Sequence, residues 1–239
     1  NVGATHKEKN IYLWLTKFTN RNKKPEKTFC GTESRSLRTP STDTTKHIAT
    51  MNHPIRFTTP EEAVKVIKSG DHVHLSSVAS VPQILVRAMT ARGEAGELQH
   101  VHIHHLHTEG EALYAVPEME GIFQLDSFFV GGNVRNITQQ GFADYIPVFL
   151  SETQRLYRDG ILPCNVAMIQ VSTPDRHGYV SLGTSVDATL AAVECADTVI
   201  AVVNRHVPRS FGDSFIHTSQ IDLFVEDDTP LIEEHFAEP

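Results

Sequence analysis

No stretch of this chain approaches the ~20 consecutive apolar residues that span a bilayer, so the sequence predicts no transmembrane helix and no membrane partner. Cysteine is scarce: Cys30, Cys164 and Cys195 are too few for a disulfide framework and form no CxxC pair. A reducing cytoplasm is the expected location. Basic residues are in deficit, 21 Lys and Arg against 29 Asp and Glu, and this argues against nucleic acid as a partner. Among motifs, HExxH, GxSxG, GxGxxG and GxxxxGK[ST] are all missing, which leaves zinc-protease, serine-hydrolase and common nucleotide-loop readings unsupported. What remains is an acidic chain of 239 residues with the apolar content of a globular protein, long enough for one large domain or two small ones.

The charge is unevenly spread. Residues 1–50 carry ten Lys or Arg against four Asp or Glu, a balance of +6, whereas residues 51–239 stand at −14. The first segment is rich in Thr, Ser, Asn and Lys, and its apolar content is concentrated in Ile11-Tyr12-Leu13-Trp14-Leu15. It buries too little surface to offset its chain entropy, so residues 1–50 are expected to be disordered or foreign to the fold. A transit segment is partly matched and would send the protein to mitochondria. A secretory signal would need a longer apolar stretch and a small-residue cleavage site. The preferred reading is translated sequence upstream of a start at Met51, where patterned sequence begins; residues 51–239 then form the folded domain.

From Met51 onward helix and strand periods alternate. Pro60 to Ser69 reads as a short helix capped by Thr59 and closed by Gly70. His72 to Ser76 is a strand, Pro82 to Arg92 a helix, and Val101 to His107 a strand. Asp126 to Val130, Asn165 to Ser172 and Thr198 to Asn204 are further strands, with an Ala-rich helix from Ser185 to Ala196 before the last. Continuous Val/Ile strands separated by helices predict an α/β fold, a largely parallel sheet flanked by helices. Ligands of such sheets sit at the carboxyl ends of the strands.

Three clusters invite chemistry. The histidines His100, His102, His104, His105 and His107 follow His72 and His74. On a strand, His100, His102 and His104 share one face and His105 and His107 the other. A metal site would need a carboxylate as well, such as Glu109 or Glu111. With no recognisable ligand spacing, the expectation is satisfied strand positions and no bound metal. Gly131-Gly132-Asn133-Val134-Arg135 after a strand reads either as a tight turn or as an anion-binding loop with one cation. Ser172 to Tyr179 carries Pro, Asp and Gly at hairpin-turn positions.

Four stretches resemble the N-terminal half of the acetyl-CoA hydrolase/transferase family, the class I CoA-transferases. They are Phe128 to Arg135, Gly141 to Glu152, Val171 to Thr189, and Val199-Ile-Ala-Val-Val-Asn-Arg-His-Val-Pro-Arg-Ser-Phe-Gly-Asp through Asp222. Their order and spacing extend the resemblance over residues 53–233. It implies a CoA-transferase-like N-terminal domain, on the fold shared with sugar-phosphate isomerases, paired with a similar C-terminal domain across the active site. It implies a ping-pong transfer in which a glutamate attacks an acyl-CoA thioester and CoA passes through a glutamyl-CoA thioester to a second carboxylic acid.

In the family that glutamate belongs to a His-Thr-Glu-Met-like motif of the C-terminal domain, and its place would fall beyond Pro239. His107-Thr108-Glu109 imitates the motif but continues Gly-Glu-Ala, and it is read as a decoy; no catalytic residue is expected between Asn1 and Pro239. Asp227 to Glu233 resembles the approach to the interdomain linker. The substrate wall is expected from Ser76, Ser77, Ser80 and Pro82, whose loop would offer backbone N–H groups to an oxyanion. Asn133, Arg135, Asn204, Pro208, Arg209 and Gly212 are further family-like positions. The implied partners are acyl-CoA, a short-chain carboxylate and the C-terminal half, in a homo-oligomer. Coenzyme A is substrate, with no permanent cofactor. The rival reading is a non-catalytic binding domain, or a subunit that pairs with a separate glutamate-bearing chain.

Overall fold

The computed structural model describes residues 55–233. The expectations about residues 1–50, and Cys30 with them, lie outside the described residues. So does Pro239, and the expectation that the glutamate falls beyond it is one these residues do not bear on. Thr59 caps the first helix as its sequence predicts: the Glu62 amide donates to Thr59 Oγ1 at 3.2 Å, and Pro60 occupies the first turn. This helix, α1, is short (Pro60–Ala63) and tightens into a 3₁₀ turn over Val64–Val66. There follow β1 (His72–Leu75), α2 (Gln83–Glu94), β2 (Val101–His105), β3 (Phe123–Ser127), α3 (Arg135–Gln140) and β4 (Ala143–Tyr145). The second half holds α4 (Thr153–Arg158), β5 (Val166–Val171), β6 (Tyr179–Ser181), α5 (Thr189–Cys195), β7 (Thr198–Asn204), β8 (Phe215–His217) and β9 (Leu223–Asp227).

Seven strands form one sheet in the order β4-β3-β2-β1-β5-β7-β9, and every neighbouring pair is parallel. The expected fold class is therefore the observed one. A separate antiparallel ribbon joins β6 to β8. The central strands β5 and β7 are buried almost end to end, which is why they read as unbroken apolar runs. Their alternate residues feed two cores. Val166, Met168, Ile200 and Val202 pack with α1 and α2, while Ala167, Ile169, Val199 and Ala201 pack with α4 and α5.

Some boundaries differ from expectation. The third strand runs Phe123–Ser127 rather than Asp126 to Val130, because Phe123 and Leu125 are the side chains that reach the core. Helix α5 begins at Thr189, since Asp187 turns back to accept from the Thr189 amide at 3.2 Å. His100 stands outside β2, exposed and with φ of 55°, so it does not share a face with His102 and His104. The hairpin reading of Ser172 to Tyr179 holds: Asp175 N donates to Tyr179 O at 2.9 Å and Gly178 N to Asp175 O at 3.0 Å.

Cys164 is buried beside β5, with burial pushing its thiol up to about 12 against a weaker opposing hydrogen bond. The folded state holds this thiol neutral, whereas the unfolded chain ionises it near pH 9. Stability from this source is complete below pH 9 and is lost as pH rises from 9 towards 12, at up to about 1.4 kcal/mol per unit. Urea unfolding at about pH 8 to 10 should show this slope, and Cys164→Ala should flatten it.

Candidate functional site

A parallel sheet opens a crevice where adjacent strands send the chain to opposite faces. Here that point lies between β1 and β5. β1 leads to α2 over one core, and β5 leads through the ribbon to α5 over the other. The loop that fills the crevice is Ser76 to Pro82.

This loop is held by its neighbours. Ser76 N donates to Met168 O at 3.1 Å, tying it to β5, and Val78 N donates to His107 O at 2.8 Å, tying it to the loop after β2. Ser77 N donates to Ser185 Oγ at 3.0 Å, and Ser185 Oγ donates to Asp187 Oδ2 at 2.6 Å. Ser80 Oγ lies 2.7 Å from Thr184 Oγ1. Pro82 is buried at the N-cap of α2, where its carbonyl accepts from Leu85 N and Val86 N. Val78 has φ of 53°, a left-handed conformation that costs a β-branched residue of order 1–3 kcal/mol and marks sites held against local preference.

Two consequences follow for ligand chemistry. The amides of Ser76, Ser77, Val78 and Ser80 are already bonded within the protein. Among the described residues the loop amides left without such a bond are those of Ala79 and Val81. Meanwhile Ser76 Oγ and Ser77 Oγ are buried with no hydrogen-bond partner among the described residues. A buried unpaired hydroxyl costs about 1–3 kcal/mol, which stability alone does not explain.

The other sequence-chosen residues fall into two groups. Asn133 joins the crevice: its Nδ2 donates to Thr108 Oγ1 at 3.3 Å and Gly110 O at 3.2 Å, linking the loops after β2 and β3. Arg135 is exposed at the start of α3 on the same edge. Asn204 and Arg209, by contrast, work on the chain itself. Asn204 accepts from His206 N at 2.8 Å and donates to Thr229 O at 2.8 Å. Arg209 spends its guanidinium on Ser172 Oγ, Thr173 O, Tyr179 O and Asp175 Oδ2, and lies over the Phe215 ring. Gly212 sits in an exposed turn beside Phe211, which is 93% exposed. His107-Thr108-Glu109 is closer to the crevice than its dismissal implied, for Thr108 bridges directly to Val78. His107 Nε2 approaches Glu109 Oε1 at 3.5 Å.

Residues 228–233 add a feature that the sequence did not announce. After β9 they turn back, Thr229 meeting Asn204 and Ile232 reaching the loop after β2. Gly110 makes that approach possible: its φ is 78°, and a Cβ there would lie 2.7 Å from Ile232 Cδ1. Residues 228–233 thus cross the carboxyl edge of the sheet.

The histidines occupy the opposite side chains of β1 and β2 from the α2 core. His74 is buried and fully partnered, with Nδ1 3.0 Å from Tyr157 OH and Nε2 3.1 Å from Thr189 Oγ1. Burial, with the charge of His104, lowers it to about 3, so it is neutral. His105 is buried on the other face against Tyr114. His72, His102 and His104 gather instead around Asp126, a carboxylate that spacing could not indicate because it comes from a different strand in register with His104. Burial opposes ionisation of Asp126, but the hydrogen bonds and charges of His102 and His104 outweigh it and bring the carboxyl down to about 2. Burial, then the charges of His104 and His102, lower His72 to about 4, whereas the hydrogen bond to Asp126 raises His102.

These features define an open α/β domain whose serine loop lies at the carboxyl edge of a parallel sheet. More narrowly, the chain belongs to the acetyl-CoA hydrolase/transferase family, whose N-terminal domain matches residues 42–233. That match starts inside the segment set aside on composition. The 4-hydroxybutyrate coenzyme A transferase of Clostridium kluyveri is 39% identical over 178 residues, covering 74% of this chain and 41% of that protein. A succinyl-CoA:acetate/propanoyl-CoA:succinate CoA transferase of Fasciola hepatica is 37% identical, covering 68% and 34%. Among solved structures, RipA from Yersinia pestis superposes with a TM-score of 0.72 at 30% identity, covering 77% of this chain and 45% of its own. The chain therefore spans less than half the length of these relatives.

If the Ser76 and Ser77 hydroxyls are kept for a ligand, they contribute nothing to folding. Ser76→Ala and Ser77→Ala should leave the urea midpoint unchanged or raise stability by about 1 kcal/mol. A loss of about 2 kcal/mol or more would show that the hydroxyls are structural.

Proposed function

We propose that this chain supplies the N-terminal wall of an acyl-CoA:carboxylate CoA-transferase site that moves CoA between short-chain carboxylic acids. The observation that carries the proposal is the serine loop: strained, buried and polar, placed at the switch between β1 and β5, with residues 228–233 crossing the same edge. A second domain continuing from that crossing would close over the loop.

In this reading the nucleophile is a glutamate of a C-terminal half, beyond Pro239. Its carboxylate attacks the thioester carbonyl, expelling CoA thiolate and leaving an acyl-glutamyl anhydride. The thiolate then attacks the glutamyl carbonyl, releasing the first carboxylate and forming the glutamyl-CoA thioester; a second carboxylate reverses the sequence. This chain's part is to bind and orient. Ala79 and Val81 amides face the developing oxyanion, and the Ser76 and Ser77 hydroxyls donate to the acyl carboxylate or carbonyl. Coenzyme A enters as substrate, and no resident cofactor is needed.

The chain from Asn1 to Pro239, assayed with acetate and butyryl-CoA, should show neither transferase nor thioesterase turnover. Without a positioned carboxylate it forfeits a proximity contribution that can reach roughly 7–11 kcal/mol. Borohydride or hydroxylamine should trap no glutamyl adduct on it. A trapped adduct on Glu109 would move the nucleophile into this domain and overturn the division of labour.

A further inference from the structure

Three strands bring four potential ligands to one point on the sheet. Parallel register sets His72 beside His102 and His104 beside Asp126, so all four side chains project from the same face of β1, β2 and β3. Their ligand atoms lie within 4.8 Å of one another. His102 Nδ1 is 2.7 Å from Asp126 Oδ2, His104 Nε2 is 3.4 Å from the same oxygen, and His72 Nδ1 is 3.1 Å from His104 Nε2. A tetrahedral ion with bonds of about 2.0–2.1 Å holds its ligand atoms about 3.3 Å apart, a spacing these three contacts bracket.

From this juxtaposition we infer that His72, His102, His104 and Asp126 bind a divalent first-row transition ion of the zinc class. The sequence expectation of no metal rested on the lack of a carboxylate at a readable offset, and on Glu109 and Glu111 as the nearest acids. Asp126 supplies the carboxylate from the neighbouring strand. Three imidazoles and one carboxylate are a nitrogen-rich set suited to Zn²⁺, Co²⁺ or Ni²⁺; Ca²⁺ and Mg²⁺ prefer an all-oxygen shell.

The hydrogen bonds alone serve these atoms poorly. His104 Nε2 faces both Asp126 and His72, and one proton cannot be given fully to both. A cation at the centre engages all four lone pairs together. The other nitrogen of His104, Nδ1, is buried without a partner among the described residues, and that cost is the same with or without an ion. Access is built in, because His104 is fully buried at the floor while the His102 side chain is 36% exposed at the rim. An ion enters past His102 and keeps room for water as a further ligand. Bound there, it clamps β1, β2 and β3, the strands whose carboxyl ends carry the serine loop, the His107–Gly110 loop and the Gly131–Asn133 loop.

The test is titration of the chelator-treated 239-residue chain with Co²⁺ as a spectroscopic probe, followed by Zn²⁺ competition. The expected result is one equivalent of Co²⁺ with d–d absorption stronger than that of the aqueous ion, displaced by one equivalent of Zn²⁺. His102→Ala and Asp126→Asn alter rim and wall rather than the buried floor. Each should weaken binding at least tenfold with unchanged circular dichroism, while the remote His177→Ala should bind normally. Absence of saturable one-equivalent uptake, or affinity equal to the parent chain in both ligand variants, would overturn the inference.

Discussion

The structure depends on where the chain reverses its direction of travel across the sheet. Strands β1 to β4 are laid down one way from β1, and β5, β7 and β9 the other way. The gap between β1 and β5 is therefore the one place where the two crossovers leave opposite faces. A loop placed there cannot be packed from both sides by helices, and its backbone must find partners in the adjoining loops. Ser76 to Pro82 does so through Met168, His107 and Ser185. One further chain of contacts ties this loop to the fold: Ser185 to Asp187, Asp187 to Thr189, and Thr189 to the buried His74 held by Tyr157.

The same topology explains the uneven faces of the sheet. Helices α4 and α5 pack against β1, β5 and β7, so His74 is sealed, whereas His72 at the start of β1, His102 on β2 and Asp126 on β3 retain partial exposure. The alternation of His with Val, Ile and Leu in β1 and β2 records this: the apolar residues serve the α2 core, and His72, His74, His102 and His104 line the opposite face, while His105 joins the α2 side against Tyr114.

Local pattern carried the strands β1, β2, β5 and β7 and the helix α2, because each buries a face whose period is written in consecutive residues. The serine loop was legible as small residues after a strand. What pattern could not supply was pairing between distant segments. Asp126 meets His104 only through strand register, Thr184 and Ser185 meet the serine loop only through topology, and Ile232 returns to Gly110 from the far end of the domain. Roles for individual side chains fared similarly. Asn204 and Arg209 are family-like positions in sequence, and the hydrogen bonds they make to Thr229 O, Thr173 O and Tyr179 O could be found only in the fold.

The central claim, that the loop between β1 and α2 receives the acyl-CoA carbonyl, is tested most directly by amide hydrogen exchange. The chain joined to the glutamate-bearing C-terminal half proposed above would be measured with and without butyryl-CoA. The account predicts ligand protection at Ala79 and Val81, with Ser76, Ser77 and Val78 already slow in the free protein because their amides are bonded internally. Unchanged exchange at Ala79 and Val81, with protection confined to another edge of the sheet, would contradict it.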